Sequence, residues 1–345
     1  MKYLNIWDYK DPAFPFQIFI GGRGTGKTFS ALSGALDLFP DRFLYMRRTA
    51  QELDLMLDSD KYGEGANPFK PINKLRDREV GFYKIVKNLA GIYDREMVDG
   101  KLSPVGPPIG YGVALSTISS IRSIDFSDCT DWFFDEFIPE RHVRKIKAEG
   151  TALLNAYETI CRNRELAGSA PLRLWLLANS NDIYNDIFIE LGIVSDIEKM
   201  TRKGKSDLYN KERGLAIHLV NNNTDFVNEK KQTALYKLTA GSKFAEMALD
   251  NKFSYNDFSL IRHENLTGYR PICALSKGVI YGKKGDSLLY VSYAAARCPS
   301  YDIETEQGRR NFYNDYGRKM HSYFINSRII FESYELKQMI LDLIL

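Results

Sequence analysis

Residues Gly21 to Thr28 read Gly-Gly-Arg-Gly-Thr-Gly-Lys-Thr, and this octet restricts the possible folds more than any other stretch of the chain. It satisfies the spacing G-x-x-x-x-G-K-T. The apolar run Phe16 to Ile20 precedes it and a helix-forming stretch, Thr28 to Leu38, follows it. That is the strand–loop–helix setting of a phosphate-binding P-loop. The backbone N–H groups of Gly21, Gly22, Arg23, Gly24, Thr25 and Gly26 are expected to close around phosphate oxygens, with the helix N-terminus adding its positive dipole end. Lys27 is expected to reach the β- and γ-phosphates of ATP, and Thr28 to ligate Mg²⁺. A chance glycine-rich turn is the bland alternative, and the strand and helix on either side argue against it.

At 345 residues the chain is long enough for about two domains and a large core. Its 44% apolar and 26% charged content are ordinary for a soluble globular protein. No run of about 18 apolar residues suggests a membrane span, and the start MKYLNIWDYKDP has no apolar signal core. The four cysteines (Cys129, Cys161, Cys273, Cys298) are scattered without a C-x-x-C pair, which suits a reduced, cytosolic protein without structural zinc. The four isolated histidines show no metal spacing. Charge is unevenly placed. Residues 1–200 carry 25 Lys+Arg against 28 Asp+Glu, whereas residues 201–345 carry 22 against 16. The basic second part suits a polyanionic partner, and a solvated basic surface would look the same.

Strand candidates at 16–20, 42–46, 131–135 and 172–178 alternate with helical patterns. Their continuous apolar character fits strands buried on both faces of a parallel sheet. Residues 151–165 carry an apolar stripe at Leu153, Leu154, Tyr157, Ile160 and Cys161, which predicts a helix. The expected fold class is therefore α/β, a P-loop domain with a doubly wound, mostly parallel sheet over 1–205. Residues 104–110 (PVGPPIG) read as a loop on turn chemistry. Residues 206–250 read as a linker or small lid. From 251 to 345 a second, smaller α/β domain is expected, with strands at 257–262, 269–275, 278–282 and 287–293 and helices over the last 35 residues.

Four further constellations bear on chemistry. Trp132-Phe133-Phe134-Asp135-Glu136 is an apolar strand ending in two acids, the Walker B pattern. Asp135 is expected to hold Mg²⁺ and Glu136 to orient the attacking water, because phosphoryl transfer is mostly positioning and charge neutralisation. Asn179, directly after the 172–178 strand, is placed either to sense a γ-phosphate or to cap a helix. Arg162, in Arg162-Asn163-Arg164, is either an arginine finger for a neighbouring subunit's phosphate or a cation favoured at a helix C-terminus. Arg47-Arg48 add charge near the phosphates or form a solvated strand end. Arg122, in the loop before the Walker B strand, is a weaker candidate for reaching DNA.

Taken in order, FIGGRGTGKT, FLYMRR, DWFFDEFI, YETICRNRE, LWLLANSN and AEMALDNKF make the chain resemble the DNA-packaging ATPases of phi29-like bacteriophages, small relatives of the large terminases in the additional-strand P-loop class. The similarity covers most of residues 16 to 253. The resemblance implies a ring motor, a homopentamer, at the portal (connector) of a procapsid in the host cytoplasm, translocating double-stranded viral DNA and paired with a structural packaging RNA. It carries ATP–Mg²⁺ binding to Lys27 and Thr28, the Walker B pair to Asp135 and Glu136, and the trans-acting finger to Arg162. Large terminases add an RNase H-like nuclease. Here the C-terminal strand candidates lack interior acids, and Asp302, Glu304 and Glu306 cluster in one polar segment. The resemblance therefore implies a degenerate, non-cutting nuclease fold that binds nucleic-acid phosphates. Two other readings stay open on the sequence: another P-loop nucleic-acid motor such as a helicase, and a non-catalytic nucleotide-dependent switch, against which the Asp135-Glu136 pair counts.

Overall fold

The computed structural model describes residues 4–57, 65–140, 143, 146–220, 224–242, 245, 249, 253 and 256–345. The chain forms two compact units, one of Met1–Glu190 with Gly204–Tyr255 and one of Leu191–Lys203 with Asn256–Leu345. The asparagines 221–223, His142 and most of the 245–253 segment lie outside the described residues.

The first unit is built on strands β1 (Phe16–Gly21), β2 (Arg42–Arg47), β3 (Val80–Val86), β4 (Leu89–Val98), β5 (Lys101–Ala114), β6 (Cys129–Asp135), β7 (Arg173–Asn179), β8 (Asp207–Asn210) and β9 (Leu215–Val220). They form one sheet in the order β3-β4-β5-β2-β6-β7-β1-β9-β8. Every pairing from β5 through β9 is parallel, and antiparallel strands close both flanks. The four apolar runs predicted as strands are β1, β2, β6 and β7. Their interiors are buried on both faces, which is why they read as continuous rather than alternating. One strand, β7, separates the P-loop strand β1 from the Walker B strand β6. This is the inserted strand that gives the additional-strand class its name.

Three sequence expectations change here. Residues 104–110 lie in β5 rather than in a loop. The register shifts between Ile92↔Gly110 and Asp94↔Val105, so Gly106, Pro107 and Pro108 fall in a bulge where the ladder needs no N–H from proline. The segment 206–250 is not simply a linker, because β9 pairs in parallel along the whole length of β1 and β8 forms the sheet edge. The predicted helix 151–165 is Glu149–Cys161, and Arg162 ends it with φ 49° and ψ −136°.

The N-terminal segment packs on the helix Lys27–Ala35. The Trp7 indole N–H donates to the Ser30 carbonyl at 3.0 Å, and the ring lies against Phe133 and Trp175. The fit requires glycine at position 34, where a Cβ would lie 2.0 Å from Trp7 Nε1. Gly34→Ala would ordinarily gain about 1 kcal/mol of helix propensity. Here we expect a net loss of about 1–3 kcal/mol from overpacking, read as a lowered denaturation midpoint. A stabilised variant would mean that Trp7 does not dock there.

The second unit has a five-stranded sheet in the order β13-β10-β11-β12-β14, formed by β10 (Tyr269–Leu275), β11 (Gly278–Lys283), β12 (Leu289–Ser292), β13 (Ser300–Tyr301) and β14 (Ile329–Phe331). The helices Val194–Lys203, Glu306–Phe312, Arg318–Ile325 and Tyr334–Ile344 belong to it. The predicted strand 257–262 is reduced to one bridge, Ile261↔Phe331. Lys337 explains why this segment is held without a ladder: its buried ammonium donates to the Asp257 and Ser259 carbonyls and to the Asp257 carboxylate.

Candidate nucleotide site

In open α/β sheets ligands sit beyond the carboxyl ends of the strands. Four adjacent strands of the first unit end there together: β2 at Arg47, β6 at Asp135, β7 at Asn179 and β1 at Gly21. The loop after β1 turns sharply, with Gly24 at φ 80° and Gly26 at φ 93°, a region that favours glycine. The helix then begins at Lys27.

Lys27 is buried under this loop. Its ammonium donates to the carbonyls of Gly21 and Gly22, each at 3.0 Å, and to the Thr25 hydroxyl at 3.2 Å. Asn179 Oδ1 lies 3.5 Å away. Burial pulls the Lys27 ammonium down to about 8, while the charges of Asp135 and Glu136 act in the opposite direction. A polyphosphate would oppose the burial effect in the same way.

Asp135 is the convergence point of the opposite wall. Its carboxylate accepts from the Thr28 hydroxyl at 2.9 and 3.0 Å and from the Tyr45 hydroxyl at 2.9 Å, and lies 3.4 Å from the Arg47 guanidinium. Burial raises its pKa, opposed first by the Arg47 charge. Thr28 and Asp135 thus present hard oxygens to one point, the donor type that Mg²⁺ prefers when phosphates and water complete its shell. Among the described residues there is no group of three or more His, Cys, Asp or Glu that could hold a metal.

Glu136 takes a left-handed backbone conformation, φ 53°, and its half-exposed carboxylate pairs with Arg47. Arg47 therefore bridges both acids and approaches Glu52 at 3.7 Å. Its neighbour Arg48 does something different, being buried in a two-bond pair with Glu149 at 2.6 and 3.2 Å. That pair anchors the helix Glu149–Cys161 to the end of β2. Arg23 points outward to pair with Glu140.

Arg162 is not brought to this site. Its guanidinium donates to the Ile124 carbonyl at 3.1 Å and lies 3.7 Å from Asp125, in the connection leading into the start of β6. The helix it terminates has run back along the sheet, so Arg162 sits at the amino edge, roughly 20 Å (the length of a seven-residue strand) from its own phosphate loop. Arg164 also stays there, bonded to the Ser127 and Cys129 carbonyls. Arg122 lies in the same connection and is exposed. Three residues that the motifs did not mark each contact a motif residue: Tyr45 bonds Asp135, and Glu140 and Lys230 both bond Arg23. Tyr45 was hidden inside an apolar run where it reads as core, and the other two come from distant segments without spacing rules. The buried His218 is occupied structurally, between Asp207 at 2.7 Å and Gln17 at 3.0 Å.

A family model for the podovirus DNA encapsidation protein (Gp16) matches residues 11–267. The chain belongs to this family. Among relatives, the DNA packaging proteins of Bacillus phages PZA and phi29 are each 26% identical over 342 residues, covering 94% of this chain and 91% of theirs. A chain from the bacteriophage phi29 viral genome packaging motor assembly is 22% identical with a TM-score of 0.65, covering 99% of this chain and 98% of that one. At that identity the structural likeness speaks to fold, and it extends over both units of this encapsidation-family member.

Proposed function

We propose that this encapsidation protein is the ATP-hydrolysing motor that drives double-stranded viral DNA into a procapsid. The observation that carries the reading is the meeting of Lys27 and Thr28, which follow β1, with Asp135 and Glu136 at the end of β6, in a chain of the encapsidation family. Lys27 and the loop amides bind the polyphosphate and fix its register. Thr28 and Asp135 would hold Mg²⁺, which supplies charge neutralisation at the phosphate oxygens when bound. Glu136 leaves Arg47, orients a water and takes its proton as the water oxygen bonds to the γ-phosphorus and the bond to the β–γ bridging oxygen breaks. ADP and inorganic phosphate result. Asn179, beside Lys27 at the tip of β7, is positioned to sense the γ-phosphate.

The ring, its fivefold number, the portal, the host cytoplasm and the packaging RNA rest on the family resemblance. The 251–345 region serves as a non-cutting nucleic-acid-binding part. Among the described residues no three of its Asp, Glu, His or Cys side chains gather where a metal could be held, Asp286 lies in the β11–β12 turn, and Asp302 accepts from the Glu304 N–H of its own loop. Packaging of DNA by purified procapsids, this protein and ATP tests the whole reading. ATP turnover that duplex DNA does not stimulate would remove the motor, and duplex unwinding would favour a helicase.

Lys27→Ala is expected to weaken ATP binding roughly 10- to 100-fold, the loss of one to two charge-assisted hydrogen bonds to phosphate. Calorimetric titration measures it. Unchanged affinity would remove Lys27 from the phosphate site.

A further inference from the structure

The helix Thr224–Lys231 lies far along the chain from the P-loop, yet Lys230 donates its ammonium to the Arg23 carbonyl, at the third position of that loop. We infer that Lys230 is a further nucleotide-binding residue, which moves from this carbonyl to the γ-phosphate of a bound nucleoside triphosphate. The inference rests on the ATP-binding reading above and names a contact that no motif assigns.

Three observations support it. Lys230 and Lys27 repel each other, so their ammonium groups share one electrostatic neighbourhood. Two cations drawn from opposite parts of the chain into one place are costly unless an anion joins them. Lys230 is also half-buried, and burial and the Arg23 charge both lower its pKa, so a phosphate would stabilise its charged form. Finally, its position is adjustable. The ammonium lies 5.3 Å from the Tyr236 ring centroid, within cation–π range, and a long stem of this kind can swing its head while the stem stays packed. The acids that face the loop already have partners: Glu140 pairs with Arg23, and Glu136 with Arg47.

Such a contact would give the segment after β9 direct information about the third phosphate. It would form with ATP, and hydrolysis with phosphate release would remove it.

The test uses the full chain and two variants, Lys230→Met, which keeps the stem against Tyr236, and Lys230→Arg, which keeps the charge. Affinities are measured by titration for ADP and for a β,γ-imido ATP analogue. We expect Lys230→Met to weaken the triphosphate analogue about tenfold, with ADP changed less than about twofold, and Lys230→Arg to recover most of the loss. Equal losses for both nucleotides would make Lys230 a mere tether of the loop, and no loss for either would overturn the contact as well. If the unmodified chain bound neither nucleotide, it is the ATP-binding reading itself that would fail.

Discussion

Glu136→Gln yields a protein that binds ATP as tightly as the parent and turns it over about 10²–10⁴ times more slowly, the usual contribution of a positioned general base. The amide is nearly the same shape, so the left-handed backbone at this position is no more strained than before. What changes is that an amide cannot take a proton. The lost pairing with Arg47 matters little to stability, since the Glu136 carboxylate is half in solvent. Asp135, Thr28 and Lys27, the residues proposed to carry nucleotide binding, are untouched. Steady-state phosphate release with a parallel binding titration separates the two effects. Turnover within a factor of a few of the parent would assign the base elsewhere.

The second large effect is expected at Arg162. Arg162→Ala should fold, bind ATP normally and lose about 10³–10⁵ in turnover, the range for a transition-state arginine supplied by a neighbour. Geometry removes a role in its own pocket, because the guanidinium is held at the opposite edge of the sheet by Ile124 and Asp125. Two possibilities remain: service to the next subunit, or a charged helix end. Mixing Arg162→Ala with Glu136→Gln subunits decides between them. Wherever the intact pocket of the first faces the intact arginine of the second, one competent site is rebuilt, so two inactive proteins together regain activity. A structural arginine gives no rescue in rings shown to be mixed. The backbone of Arg162, at φ 49° and ψ −136°, is one that glycine would hold with less strain, which is consistent with a side chain retained for use.

Much of the first unit could be read from the residues, because its decisive signals are local. The glycine spacing of 21–28 sets its own loop, and apolar runs such as Trp132 to Phe134 announce strands covered on both faces. What could not be read depends on long-range pairing. Pro107 and Pro108 carry strong turn chemistry, yet the bulge opposite Tyr93 lets a strand pass through them. Leu215 to Val220 is as apolar as β1, but only pairing with β1 makes it a central strand rather than part of a lid. Within the site, glycine spacing marked Lys27 and Thr28, Asp135 was marked by the apolar run before it, and Thr28 and Asp135 share a hydrogen bond. Tyr45 and Lys230 could not be found that way, since one looks like core and the other like a solvated helix end. The adjacent arginines 47 and 48 had identical prospects as letters. Arg47, the last residue of β2, reaches the Walker acids, whereas Arg48, just past the strand end, pairs with Glu149.

With the pocket at one edge of the sheet and Arg162 at the other, an arginine that serves a neighbour would give each subunit a donor end and an acceptor end. A twofold pair could satisfy two pockets reciprocally, whereas a head-to-tail contact uses each end once and passes the arrangement on to the next subunit. A row assembled this way always leaves one pocket without its arginine, however long the row grows. Closing the row into a circle supplies the missing one. With Arg162 serving the neighbour, specific activity would thus report closure itself, and the direction of the row would give successive firings a built-in sense of rotation.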